Sequence, residues 1–151
     1  VEKVPMADKY LEDAVKMKRQ QVWEELRALK EREGETEHGD VNILPIRVMH
    51  GKLPIVGFRI DNFAYITDMK TIPDTELPYL EGVEYMIVNG LRHKEHPSHQ
   101  SIEEAIAFTQ KLGVKETWLV HMSHHIEPHD IEEKTLPQGI HLAYDGEVIE
   151  F

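Results

Sequence analysis

Thr117–His125, TWLVHMSHH, is an apolar strand signal that runs directly into histidines. Trp118, Leu119 and Val120 are the residues of a buried strand, and His121, His124 and His125 follow at once. A strand holds its C-terminal end rigidly, so a histidine there suits a metal ligand or an acid–base group. A surface loop rich in histidine is the alternative for this stretch alone. Three other stretches repeat the pattern: ILPIRVMHG (Ile43–Gly51), FAYITDMK (Phe63–Lys70) and YMIVNGLRHKEHPSH (Tyr85–His99). They lead to His50, to Asp68, and to His93, His96 and His99. Polar chemistry gathered at several strand ends is how α/β enzymes build a site.

Between these stretches the order of elements is a meander followed by β-α-β. Strands are expected at residues 41–49, 55–60 and 63–67, with a turn at Gly51-Lys52-Leu53-Pro54 and another at Asp61-Asn62. Pro73 and Pro78 bracket a short helix or turn, and Tyr85–Val88 reads as a buried strand. Residues 101–112 read as a helix. Ser101 is its N-cap, Glu104 stands at the capping-box position and Gly113 ends it. Ile102, Ala105, Ile106 and Leu112 form its apolar face. Thr117–Val120 is the next strand, residues 126–139 are polar, and residues 140–144 and 147–151 are expected to close a hairpin over Asp145-Gly146. The whole predicts an α/β fold, a mixed β-sheet with helices.

Residues 1–40 differ in character. Leu11, Ala14, Val15, Val22, Leu26 and Leu29 recur at helical spacing between Asp8 and Gly34, which predicts an amphipathic helix over about residues 7–32. A polar loop, GETEHGD, follows it. The chain is accordingly divided into a helical arm and loop, 1–40, and an α/β unit, 41–151.

The chain has 151 residues, enough for one domain with its own core. Its net charge of −11 argues against a general nucleic-acid surface and against binding to anionic membranes. There is no cysteine, which removes disulfides, thiolate zinc sites and a cysteine nucleophile. A metal site must therefore be built from His, Asp and Glu, and the 10 histidines supply it. With no long apolar run and no signal peptide, a cytoplasmic location is expected.

His50, Asp68, His99 and His121 stand out as a set. Imidazole and carboxylate suit zinc, manganese or iron, and an aspartate can bridge two such ions. Here the residues reach a resemblance. PIRVMHGKLPIVGFRI, AYITDMK, HPSHQSIEEAI, WLVHMSHHI and LPQGIHLAYDGEVI resemble, in order, the second half of a metallo-β-lactamase-superfamily hydrolase. The branch they resemble is the cyclic-phosphate phosphodiesterase of phosphonate catabolism. The resemblance covers residues 43–151. It implies the C-terminal half of an αββα sandwich, preceded here by the amphipathic helix. It implies His50, Asp68 and His121 as ligands of two divalent ions, with Asp68 bridging and also catalytic. It implies His99 as the catalytic proton donor beside the substrate. His93, His96 and His124 are candidates for the substrate rim. The family's HxHxDH string is absent from this sequence, so each of two ions would have about two protein ligands.

Two functions follow as expectations. One is a metal-dependent hydrolase of small phosphodiesters whose remaining ligands come from elsewhere. The other is a half-fold serving as a binding or scaffold module. Either way the expected partner is a second copy or a complementing N-terminal half, because a bare apolar sheet face needs a cover.

Overall fold

The computed structural model describes residues 43–151 together with Gln21 and Glu24, both of which are helical. The remainder of the expected amphipathic helix, and the loop after it, lie outside the described residues. Within the unit Val41–Phe151, six strands form one sheet in sequential order. They are β1 (Ile43–His50), β2 (Leu53–Ile60), β3 (Phe63–Ile66), β4 (Tyr85–Asn89), β5 (Glu116–Val120) and β6 (Ile140–Leu142).

β2 runs antiparallel to both β1 and β3, while β3, β4, β5 and β6 are mutually parallel. Consequently β1, β3, β4, β5 and β6 all point the same way. Their C-terminal ends share one edge of the sheet, and this decides where the strand-end histidines go. Parallel neighbours need long crossovers. A 3-10 segment, Asp74–Leu80, lies between β3 and β4, and helix α1 (Ile102–Leu112) between β4 and β5. Between β5 and β6 lie the short helix α2 (His129–Glu132) and a 3-10 turn, Glu133–Thr135.

The register sorts side chains by face. Ile46, Val48, Ala64, Ile66, Met86, Val88, Leu119, Ile140 and Leu142 point to one face and are buried there. Ile102 and Ala105 of α1 join them in a single core cluster. The helix begins and ends as its sequence dictates. Glu104 N–H donates to the Ser101 hydroxyl oxygen, Ser101 N–H donates to the Glu104 carboxylate, and Gly113 takes φ 74° at the C-cap. Thr109 is also buried on this helix; its hydroxyl bonds back to the Ala105 carbonyl, which is how a polar residue is accommodated there.

The opposite face is more open. Ile43, Val56, Phe58 and Tyr65 lie on it and are each 40–45% exposed.

Two expectations are corrected. The first turn is shorter than expected: Gly51 adopts φ 57°, so Gly51-Lys52 alone closes the hairpin, and Leu53 and Pro54 already pair with His50 and Met49. The C-terminal hairpin does not form. Gly146 turns the chain at φ 89°, but residues 147–151 make no strand. They are held by side chains instead. The Trp118 indole N–H donates to Glu147 at 2.8 Å, and Phe151 stacks on Phe63 with ring centroids 4.4 Å apart. Both anchors, Trp118 and Phe63, lie on the open face, so the tail crosses that face rather than extending the sheet edge.

Candidate metal centre

The strand directions bring His50, Asp68 and His121 to one edge, and the loop after β4 adds His99. Asp68 and His121 each follow a strand by one or two residues, and both take positive φ, 58° and 61°. Such values are uncommon for residues with a Cβ, although Asp and His tolerate them better than most. The left-handed residue turns the chain sharply as it leaves the strand. Backbone strain of this kind concentrates at functional sites.

Three side chains converge. His121 Nε2 lies 3.0 Å from Asp68 Oδ1. His99 Nε2 lies 3.2 Å from the same oxygen and 3.1 Å from His121 Nε2. Among the described residues this is the one group of His, Asp and Glu whose ligand atoms come close enough to share an ion. The donor set, two imidazole nitrogens and a carboxylate oxygen, fits a borderline divalent cation. A tetrahedral ion with ligands at about 2.0–2.1 Å needs donor atoms about 3.3–3.4 Å apart, slightly more than the observed spacings. The side chains of Asp68 and His121 are about half exposed, which leaves an open side for a further ligand.

His50 stands beside this group. Its ring meets the His99 ring edge-on, with centroids 4.6 Å apart. The His99 side chain is only 12% exposed. Burial pushes its pKa below the ordinary imidazole value; the contact with Asp68 opposes this, and repulsion from His121 and His50 adds to it. A neutral imidazole is the form that binds a metal. Thus Asp68, His99 and His121 form the close group. The resemblance implies His99 as a proton donor, and its Nε2 lies within 3.2 Å of the Asp68 and His121 donor atoms.

The candidate rim residues separate. His96 packs behind His99, with the two Nδ1 atoms 3.1 Å apart. His124 lies against His125 with the rings tilted by 36° and their centroids 3.9 Å apart. His93 bridges two carboxylates: Nδ1 meets Glu103 of α1, and Nε2 lies 2.9 Å from Glu132 of α2. Glu132 is almost fully buried, so His93 offsets a charge that would otherwise be costly. The hydrogen bond to Glu103 chiefly raises the His93 pKa; burial opposes it and the bond to Glu132 adds to it. A raised folded value stabilises the fold fully below the unfolded pKa and loses that contribution as pH rises through the folded one. The difference in urea midpoint between the parent and His93→Gln is therefore expected to be larger at about pH 6 than at about pH 9. An equal difference at both would rule out the charged bridge.

One supporting residue carries no signal in the sequence. Asn89 ends β4 and is fully buried. Met69 N–H donates to its Oδ1 at 2.7 Å, and its Nδ2 donates to the Met69 carbonyl at 3.0 Å. Gln100 N–H donates to that same carbonyl at 2.9 Å. Met69 follows Asp68 and Gln100 follows His99, so the Met69 carbonyl ties the two site loops together while the Asn89 amide holds Met69 in place. An apolar strand ending in asparagine looks like an ordinary strand end; only the tertiary contact reveals the clamp.

Comparison with known proteins identifies the family and the fold. The Beta-lactamase superfamily domain matches residues 5–122. A solved structure described as a new diphosphatase from the PhnP family superimposes with a TM-score of 0.71 at 37% identity, covering 77% of this chain and 46% of that one. The metallo-beta-lactamase fold protein YhfI from Bacillus subtilis superimposes with a TM-score of 0.57 at 18% identity, covering 76% of this chain and 52% of its own, a likeness of fold. Among curated proteins, an octanoyltransferase of Porphyromonas gingivalis (strain ATCC BAA-308 / W83) is 45% identical over 108 residues, 71% of this chain but 22% of that protein. The chain thus spans about half of the solved relatives and about a fifth of the curated one. A sheet whose parallel strands bring an Asp–His–His group to one edge, and a family match across most of the chain, place this protein in the beta-lactamase superfamily with the metallo-β-lactamase fold.

Proposed function

We propose that this chain carries part of the metal centre of a divalent-metal-dependent hydrolase acting on small phosphodiesters, the HxHxDH motif being supplied from elsewhere. The observation that carries the reading is the convergence of Asp68, His99 and His121 within 3.0–3.2 Å at the C-terminal strand edge. The likeness to a PhnP-family diphosphatase supports the phosphate chemistry. Zinc, manganese and iron all suit a donor set of two imidazoles and one carboxylate. When bound, such ions would supply Lewis acidity and polarise water and a phosphoryl oxygen. Asp68 presents a carboxylate that two ions could share, and His121 orients an imidazole toward it. A second ion requires ligands beyond those gathered here, from a complementing segment or a second copy. The open apolar face around Val56, Phe58 and Tyr65 is where such a partner would pack.

His99 has two readings. Its position makes it the third ligand; the resemblance to the phosphodiesterase branch makes it the proton donor to the leaving group and gives the ligand role to His50. Metal content separates them. If His99 is a ligand, His99→Ala loses zinc. If it is a proton donor, the variant keeps zinc and hydrolysis slows by about 10²–10⁴-fold.

The function itself is tested with bis-p-nitrophenyl phosphate and added zinc or manganese. Measurements use the chain alone and the chain mixed with a polypeptide carrying the HxHxDH half. Hydrolysis is expected only from the mixture. p-Nitrophenyl octanoate serves as the control for acyl chemistry, the activity named for the curated relative. Octanoate cleavage without phosphodiester cleavage would overturn the phosphodiesterase reading.

A further inference from the structure

Glu132 ends α2 and Glu133 opens the 3-10 turn after it, and each of these consecutive residues meets a histidine on a different element. Glu132 Oε1 lies 2.9 Å from His93 Nε2, and Glu133 Oε1 lies 3.3 Å from His141 Nδ1. Each histidine meets a second carboxylate through its other ring nitrogen. Glu103 of α1 stands at His93 Nδ1, and Glu116 of β5 lies 2.8 Å from His141 Nε2. An ionised carboxylate only accepts, and a neutral imidazole has a single N–H to donate. A ring set between two carboxylates therefore makes both bonds only as the imidazolium. The proton belongs on the ring, because a free carboxyl group has a pKa of about 4.3 and imidazole about 6.5.

The same two glutamates also hold backbone. Glu132 Oε2 accepts the Glu127 N–H at 3.2 Å, at the end of the loop that leaves His121 and carries His124 and His125. Glu133 Oε2 accepts the Leu142 N–H at 2.6 Å in β6. From this we infer that residues 127–135 form a pH-sensitive clasp, closed while His93 and His141 are both charged and loosened when they become neutral. A neutral ring keeps at most one of its two carboxylates, and the other then faces a lone pair. The Glu132 side chain is 2% exposed, so it loses its offsetting charge where water does little to replace it.

Among the described residues, the charged side chains paired with His93 are Glu103 and Glu132, and those paired with His141 are Glu116 and Glu133. Glu103 chiefly, with Glu132, lifts the His93 pKa against the effect of burial. Burial works against a charge on His141, but the bonds to Glu116 and Glu133 outweigh it, so that pKa also lies above the ordinary value. The contribution of each bridge is thus complete below the unfolded value, about 6.5, and is lost as pH rises through the folded one. His129, on the clasp itself, does not respond in this way. Its Nε2 donates to the Leu142 carbonyl at 3.0 Å, a bond that either charge state can make.

The clasp stands apart from the metal reading, and its test uses the full chain without added metal. Millisecond hydrogen exchange, corrected for the intrinsic effect of pH, reads the Glu127 and Leu142 amides against the Ala105 amide inside α1. Between about pH 6 and about pH 9 their relative protection is expected to fall by about 3–10-fold, the scale of partly exposed ion pairs. At the lower pH, ¹⁵N spectra should show both rings doubly protonated. In the double variant His93→Gln/His141→Gln the protection should no longer depend on pH. Either single variant should lower protection at both amides, because adjacent glutamates hold one short segment. Equal protection of the parent at both pH values, a neutral His93 or His141 ring at the lower pH, a pH dependence that survives in the double variant, or single variants that each affect one amide alone would overturn the clasp. The parent measurements decide even if a variant fails to fold.

Discussion

Alanine at His121 is expected to reduce bound zinc or manganese to background and to abolish metal-dependent phosphodiester hydrolysis in the complemented protein. Alanine at Asp68 is expected to do the same. His121 Nε2 lies 3.0 Å from Asp68 Oδ1, and both contact His99 Nε2 or lie within 3.2 Å of it. With three ligand atoms gathered, removing one leaves two, fewer than the three protein ligands of a typical catalytic zinc site. Affinity should be pH-dependent in the parent, since the imidazoles must be neutral to bind, and the dependence should vanish with the binding. The fold should survive either change. Both side chains are about half exposed and sit in left-handed backbone, where their removal leaves the core intact. The measurements are metal content after gel filtration, calorimetric titration, and turnover. A His121→Ala variant that retains stoichiometric metal and full turnover would overturn the ligand assignment.

Replacing Asn89 by alanine is expected to destabilise the protein by about 2–4 kcal/mol and to weaken zinc binding together with stability. Asn89 makes two buried hydrogen bonds to one residue, Met69, which is itself fully buried. Its loss leaves the Met69 N–H without its acceptor where water cannot reach, a penalty of about 1–3 kcal/mol beyond the lost bonds. The Met69 carbonyl keeps the Gln100 N–H, so the damage falls mainly on the side toward Asp68. An Asp68 released from its clamp presents its carboxylate less well, and zinc affinity should fall by about 10–100-fold, the usual cost of losing outer-shell support. Asn89→Asp keeps the acceptor and loses the donor, so it separates the two bonds. Chemical denaturation and zinc titration give both quantities. A midpoint equal to the parent's, with unchanged zinc affinity, would remove Asn89 from the account of the site.

Much of the fold was legible because its signals are local. The α1 boundaries follow from Ser101, Glu104 and Gly113, where the capping groups are neighbours in the chain. The apolar runs at 43–50, 63–66, 85–89 and 116–120 mark strands for the same reason. The C-terminal tail misled because Asp145-Gly146 does turn the chain, whereas strand formation also needs a partner edge. The tail instead lies against Trp118 and Phe63 on the sheet face.

By itself the sequence determined that ligand-type residues stand at strand ends, that thiolate chemistry is excluded, and that a helix joins β4 to β5. The tertiary structure alone decided which of those residues meet. β1, β3, β4 and β5 share one direction, so His50, Asp68, the His99 loop and His121 reach a common edge. The same packing drew His93 away to bridge Glu103 and Glu132, set His96 behind His99, and brought Asn89 against Met69. Each of these contacts joins residues 3–39 positions apart. The longer ones depend on strand direction, register and crossover, which no local run of residues encodes.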